Sequence, residues 1–177
     1  DYLHLNENEL SVLEGLKGMK DDGNIRSITV IVNSANPVSM AFADEEDYGV
    51  DAVLWIGSVG QTGLYALGDV LSGAVNPSGS LPDTWWKDNQ LDPVQNNFGV
   101  YTYAGQENYT YPANANSYNH YVVYQEGVYL GYKYTETRYE DVVLGTPNAG
   151  NFQYNNVVAY PFGYGLSYTN FAFSDMQ

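Results

Sequence analysis

The chain has 177 residues, 44% of them hydrophobic, and a formal net charge of −15 from 6 basic and 21 acidic side chains. That is enough apolar material for one domain with a core of its own and too much for a disordered chain. So negative a surface repels nucleic acid and anionic lipid, whose binding rests on Lys and Arg, and the lack of cysteine excludes disulfides and thiolate metal sites.

No run is long and apolar enough to span a membrane. The chain opens at Asp1 without a signal peptide, which points to a processed product or a piece of something longer. A neutral partner such as a sugar suits this composition. The 18 Tyr and 3 Trp can serve it, since aromatic faces stack on sugar C–H faces, or can be half-buried sheet residues.

In chain order, the spacing predicts a helix over Asn6–Lys20. Asn6 and Glu9 have capping-box spacing, and Leu10, Leu13, Leu16 and Met19 recur on one face. "SITVIV" (Ser27–Val32) and "VDAVLWI" (Val50–Ile56) read as strands covered on both faces. Between them, "NSANPV" breaks the first strand, and a short acidic stretch reaches Gly49. Gly57–Gly63 is a turn into a second amphipathic helix, Gln61–Leu71, with Leu64, Leu67 and Leu71 on one face. Ser72–Pro82 is turn chemistry throughout. This order predicts an α/β fold: a three-layer α/β sandwich around a mostly parallel sheet.

From about Trp85 to residue 159, Asn, Tyr, Gln and Gly dominate with few helix signals, so a long loop-rich excursion is expected. Within it Val122–Tyr134 could be strand, or helix broken by Gly127 and Gly131. Residues 160–177 close the chain with a strand around Phe171 and Phe173. The whole is expected to be a single domain: a core over 1–84, the excursion over 85–159 and the closing segment.

Gly57, Gly60 and Gly63 outline a phosphate-cradling loop, but their spacing fits neither G-x-G-x-x-G nor G-x-x-x-x-G-K-[ST], and no Lys or Arg lies among them. Two readings remain. The glycines can permit a tight strand-to-helix turn. Alternatively, the backbone N–H groups and Gln61 lie beside a neutral ligand at the C-terminal ends of parallel strands. His4 and His120 have no metal-ligand spacing, and no Ser sits in a G-x-S-x-G elbow. Asp44–Asp47 is a charge run of the solvated kind. Asn108-Tyr-Thr110 is a chance glycosylation sequon.

Four stretches together carry a resemblance. "VIVNSANPVSM", "DAVLWIGSVGQTG", "LGDVLSGAVNPSGSLPDTW" and "YPFGYGLSYTNF" resemble, in this order, segments of family 3 glycoside hydrolases, the β-glucosidase-like enzymes. They cover Ile25 to about Thr84 and Tyr160 to Phe171. The stretch "YVVYQEGVYLGYKYTETRYED" resembles the form in some bacterial members, including ones whose sandwich domain precedes the barrel.

The resemblance implies a six-stranded α/β sandwich domain that docks on a (β/α)8 barrel, and retaining hydrolysis of β-glycosides by two carboxylates. The nucleophile belongs to the barrel, which this chain is too short to contain. Asp1, Leu3 and Leu5 look like the segment that follows the acid/base loop, so neither catalytic carboxylate is expected here. No cofactor and no metal is implied. The expected partners are a β-linked glucoside or oligosaccharide and the barrel. The candidate sugar-contact residues are Gly57, Ser58, Gln61, Glu126 and Arg138, with an ion pair between the last two as the plainer account. The alternative is a stand-alone carbohydrate-binding module, with Trp55, Trp85, Trp86 and the Tyr-rich loops as its platform.

Overall fold

The structure, a computed structural model, describes residues 3–99, 101–105, 120–172 and 174. Helix α1 spans Glu7–Asp21. Its capping box is complete: the Asn6 side chain accepts from the Asn8 and Glu9 backbone N–H groups, and Glu9 Oε2 accepts from the Asn6 N–H at 2.8 Å. Lys17 closes on Asp21 one turn later at 2.6 Å. Strand β1 (Thr29–Val32) pairs in parallel with β2 (Ala52–Trp55), setting Val30 beside Val53 and Val32 beside Trp55. Between them lies the short helix α2 (Ala41–Asp44). Asp51 fixes the entry to β2. It accepts from Lys20 Nζ at 2.7 Å and from the Ile28 N–H at 2.7 Å. The bond from Lys20, and then that from Ile28, hold its carboxyl below the usual range.

The core gathers Leu13 of α1, Ile28, Val32, Met40, Phe42 and Trp85, with Val30, Val53 and Trp55 packed against it. Side chains alternate along a strand, so these residues make one face of the parallel pair. Ile31 and Leu54 make the other, and Ile31 is 38% exposed. Both strands were expected to be covered on both faces. Among the described residues the second face is less covered: Ile31 is partly exposed, and α3 (Leu64–Leu71) has no buried residue, with Leu64 56% and Leu71 49% exposed.

The remaining described strands are two antiparallel pairs. Strands β3 (Trp85–Trp86) and β6 (Val158–Tyr160) form one, and β4 (Tyr101–Thr102) and β5 (His120–Tyr121) the other. Among the described residues, helices and three two-stranded sheets are present, and one of the three sheets is parallel, as the α/β reading expects. A parallel sheet is ordinarily covered on both faces, and among the described residues the face of Ile31 is partly exposed.

The excursion is also more helical than expected. After a 3-10 turn (Asn89–Leu91) and α4 (Pro93–Asn97), the thirteen-residue α5 (Tyr132–Leu144) runs to α6 (Tyr154–Val157). Helix α5 begins after Gly131 and stops at Gly145, which takes the left-handed conformation at φ 63°. Its Thr135 is fully buried against Thr84. Residues 171 and 172 form no strand; Phe173, like Asn108–Thr110, lies outside the described residues. Asn76 anchors the closing segment by donating to Thr169 Oγ1 at 2.8 Å and accepting from the Tyr168 N–H at 2.7 Å. Among the described residues no helix is long and apolar enough to cross a membrane.

Candidate functional site

The parallel register brings the turn after β1 and the turn after β2 out at the same sheet edge. They are tied together there. Trp55 Nε1 donates to the Ser34 carbonyl at 2.7 Å, and the Ile56 N–H donates to the Val32 carbonyl at 3.1 Å. The first turn is braced from the excursion. Asn89 Nδ2 donates to the Pro37 carbonyl at 3.1 Å, and Ser39 Oγ accepts from the Asn89 N–H at 3.0 Å. Asn89 is a residue that no spacing in the sequence singled out. It is buried, and its Oδ1 has no donor among the described residues.

In the second turn, Gly57 and Gly60 have φ of 57° and 64°, which side chains with a Cβ rarely adopt. Gly63 is needed for another reason. Its φ is −64°, but a Cβ there would run into the Val59 carbonyl oxygen. The glycines thus do what the plainer reading gives them: a tight turn and close packing. Ser58 and Gln61 stand on this turn with exposed side chains, and among the described residues neither has a hydrogen-bond partner.

Glu126 and Arg138 do not form the ion pair expected of them. Glu126 Oε1 accepts from Asn97 Nδ2 at 2.9 Å, while its Oε2 is buried without a partner. Arg138 instead clamps the loop after α5. Its guanidinium donates to the carbonyls of Asn148 and Ala149, lies 3.5 Å from Asp141 and sits over the Phe152 ring. Those contacts occupy it structurally. Near Glu126 lies Asp92, which caps α4 through the Val94 N–H at 3.0 Å. Burial pushes the Asp92 carboxyl up, against that hydrogen bond, and the charges of Asp83 and Glu126 push it further. Among the described residues no group of three His, Cys, Asp or Glu side chains could hold a metal ion.

The tryptophan platform is not available. Trp85 is 2% exposed and meets Trp55 edge-on at 5.3 Å, and Trp86 is buried as well. Strict alternation would leave one of the adjacent pair outside, but the ladder slips between them. Asp44, by contrast, is on the surface as expected, paired with Lys87 at 2.9 Å. A cleft of about 230 Å³ lies where Asn76–Ser80 meets Gly165–Ser167 and Phe171. Gly165 lets the two segments touch, since a Cβ there would strike the Gly79 carbonyl oxygen.

The model of the glycosyl hydrolase family 3 C-terminal domain matches residues 3–132. Similar proteins include a beta-glucosidase of Ruminococcus albus, 31% identical over 152 residues, or 85% of this chain and 12% of the relative. Beta-glucosidase B of Emericella nidulans is 37% identical over 145 residues, 81% of this chain and 14% of the relative. Thermostable beta-glucosidase B of Acetivibrio thermocellus is 28% identical over 176 residues, 99% of this chain and 18% of the relative. Among solved structures, a beta-glucosidase from Paenibacillus barengoltzii superposes with a TM-score of 0.66 at 29% identity, covering 95% of this chain and 14% of that one. The chain therefore spans less than a fifth of the length of these relatives.

Proposed function

The chain belongs to glycoside hydrolase family 3, as its C-terminal domain, and from that premise we propose that it walls one side of the sugar pocket of a retaining β-glucosidase. The pocket's other side is a (β/α)8 barrel carrying the nucleophile, and the acid/base is likewise supplied from outside these residues. The observation that carries this reading is the pairing of a small share of the relatives' length with bare apolar surface. The match takes up 12–18% of the beta-glucosidases named above, and among the described residues α3 and the Ile31 face of the sheet lie partly uncovered. In the complete enzyme those faces acquire their cover, and the third layer of the sandwich with it.

In this reading the β1 and β2 turns form the rim of the pocket. Gly57 and Gly60 bring the backbone close to the ligand, and Ser58 and Gln61 supply its hydroxyls with donors and acceptors. Glu126 contributes a carboxylate, which sugars take as an acceptor for hydroxyl donors. Arg138, held by its own loop, serves by fixing the excursion rather than by direct contact. The chain does no chemistry alone, because retaining hydrolysis needs a nucleophile and an acid about 5–5.5 Å apart across the bond.

The test compares this chain with the longer enzyme. The chain alone should leave aryl β-glucosides intact, and Gln61→Ala in the longer enzyme should raise KM with little change in fold. Turnover by the chain alone that is lost on changing one of its own carboxylates would overturn the reading.

A further inference from the structure

We propose that Asn89 is a positioning residue for the sugar rim: with Ser39 it fixes the β1 turn, and with that turn the side chains of Asn33 and Asn36. The turn is held at both ends. At the first, the Ser34 carbonyl accepts from Trp55 Nε1 at 2.7 Å. At the second, the Pro37 carbonyl accepts from Asn89 Nδ2 at 3.1 Å, and Ser39 Oγ accepts from the Asn89 N–H at 3.0 Å. Pro37 has no N–H, so its carbonyl is the one backbone polar group by which it can be held. Its ring also steers Asn36 away from helical conformations, so the placement of Pro37 carries over to Asn36. Between the two ends Ala35 and Asn36 are exposed, as is Asn33 just before them. The side chains of both asparagines make no hydrogen bond with another described residue.

Asn89 is itself well anchored. It is 8% exposed and opens the 3-10 turn Asn89–Leu91, which Asp88 caps through the Gln90 N–H at 2.9 Å. The backbone ahead of it is tied to the stretch that follows the β1 turn: the Met40 N–H donates to the Trp86 carbonyl, and the Ala41 N–H to the Lys87 carbonyl. Stability alone does not account for an asparagine at this place. Its Oδ1 is buried without a donor among the described residues, and an unpaired buried amide oxygen is a cost that an apolar side chain avoids. What the side chain adds is the bond to Pro37. A turn already set in place has less freedom to lose when a ligand arrives. The parallel register puts this turn beside the β2 turn, where Ser58 and Gln61 stand.

The inference rests on the pocket-wall reading and adds to it the residue that sets one half of the rim. The test is aryl β-glucoside hydrolysis by the longer enzyme, with hydrogen exchange of residues 33–38 followed in the same protein. Asn89→Ala should raise KM about tenfold with little change in kcat, because a displaced rim weakens ground-state and transition-state binding alike. Exchange in the turn should quicken. Ser39→Ala, which removes the second bond and leaves the Asn89 side chain in place, should act in the same direction. The double variant should fall short of the two effects combined, since both bonds hold one turn. Gly23→Ala is the control for general loosening. Its φ of 76° strains any side chain, and it precedes β1, at the other end of the strand from the turn. It should lower Tm and leave KM unchanged.

An unchanged KM in Asn89→Ala and Ser39→Ala would overturn the positioning role. So would a KM shift of the same size in Gly23→Ala, since general loosening would then be enough to produce it. Should Asn89→Ala not fold, Ser39→Ala decides by the same readings. Gln61→Ala on the β2 turn keeps the two readings apart. A raised KM there with none in Asn89→Ala removes the positioning role alone, and no change in either removes the pocket wall as well.

Discussion

Leu64→Lys/Leu71→Lys on α3 separates surface that is bare by design from surface that is bare by nature. In this chain α3 has no buried residue, and the two leucines stand 56% and 49% exposed. Leu and Lys have similar helix propensity, and the lysine stem can lie where the leucine did. The change should therefore alter the stability of the chain alone by no more than about 0.5 kcal/mol, the ordinary range for surface substitutions. In the longer enzyme the balance differs. Full burial of a leucine is worth about 1.5–3 kcal/mol, so the half still exposed would yield about 1 kcal/mol per residue on docking. Two such losses come to about 2 kcal/mol, roughly thirtyfold in a docking equilibrium, before the cost of burying two ammonium groups. The assay is thermal unfolding of the chain alone and of the longer enzyme, each with and without the double change, together with β-glucoside hydrolysis by the latter. A large loss of melting temperature confined to the longer enzyme is expected. Equal losses in both, or none in either, would show that nothing covers α3.

Gly63→Ala places a Cβ against the Val59 carbonyl oxygen, so it should cost about 1–3 kcal/mol in denaturant unfolding, as overpacking does. Asn6→Ala removes the side-chain acceptor of the Asn8 and Glu9 N–H groups at the start of α1, leaving the bond from its own N–H to Glu9, and should cost about 1 kcal/mol in the same assay. Asp92 sits above its ordinary pKa because of burial and its acidic neighbours. The folded chain therefore holds that proton more tightly than the unfolded one. Its contribution is fully present below about pH 4, the unfolded value, and is lost as pH rises through the folded value. Asp92→Asn keeps a capping side chain for α4 and should flatten the decline in unfolding free energy across that window.

What the sequence made legible was whatever is decided locally. The α1 capping box depends on Asn6 and Glu9 alone, and it formed as read. The same holds for the positions of β1 and β2 and the glycine turn after β2, where a β-branched run and positive φ are properties of a few neighbouring residues. The outer layer was not legible, because whether Ile31 and α3 are covered depends on residues elsewhere. Helix α5 was missed because Gly131 gives it no capping side chain and because Tyr and Thr in its first turn read as strand. The stop at Gly145 was the one signal that could have found it. The Glu126–Arg138 pair failed for a related reason. Twelve positions apart, the two lie across a helix start; Glu126 bonds instead with Asn97, 29 positions away, and Arg138 with the Asn148–Ala149 loop.

The core and the excursion share a strand, and this bears on how the candidate sites are held. Trp85 belongs to the core cluster, while the strand it starts pairs with β6 at the far end of the excursion, continued by the Lys87 N–H to the Val157 carbonyl at 2.9 Å. The same stretch reaches the β1 turn. Met40 N–H donates to the Trp86 carbonyl at 2.9 Å, and Asn89 holds Pro37. The two ends of a long insertion are thus closed on each other by backbone pairing, so the core carries the entropic cost of ordering the loop's base. Between those ends the excursion carries Glu126, held by the Asn97 side chain at 2.9 Å. A loop whose base is closed by backbone pairing can hold contacts that local sequence does not place.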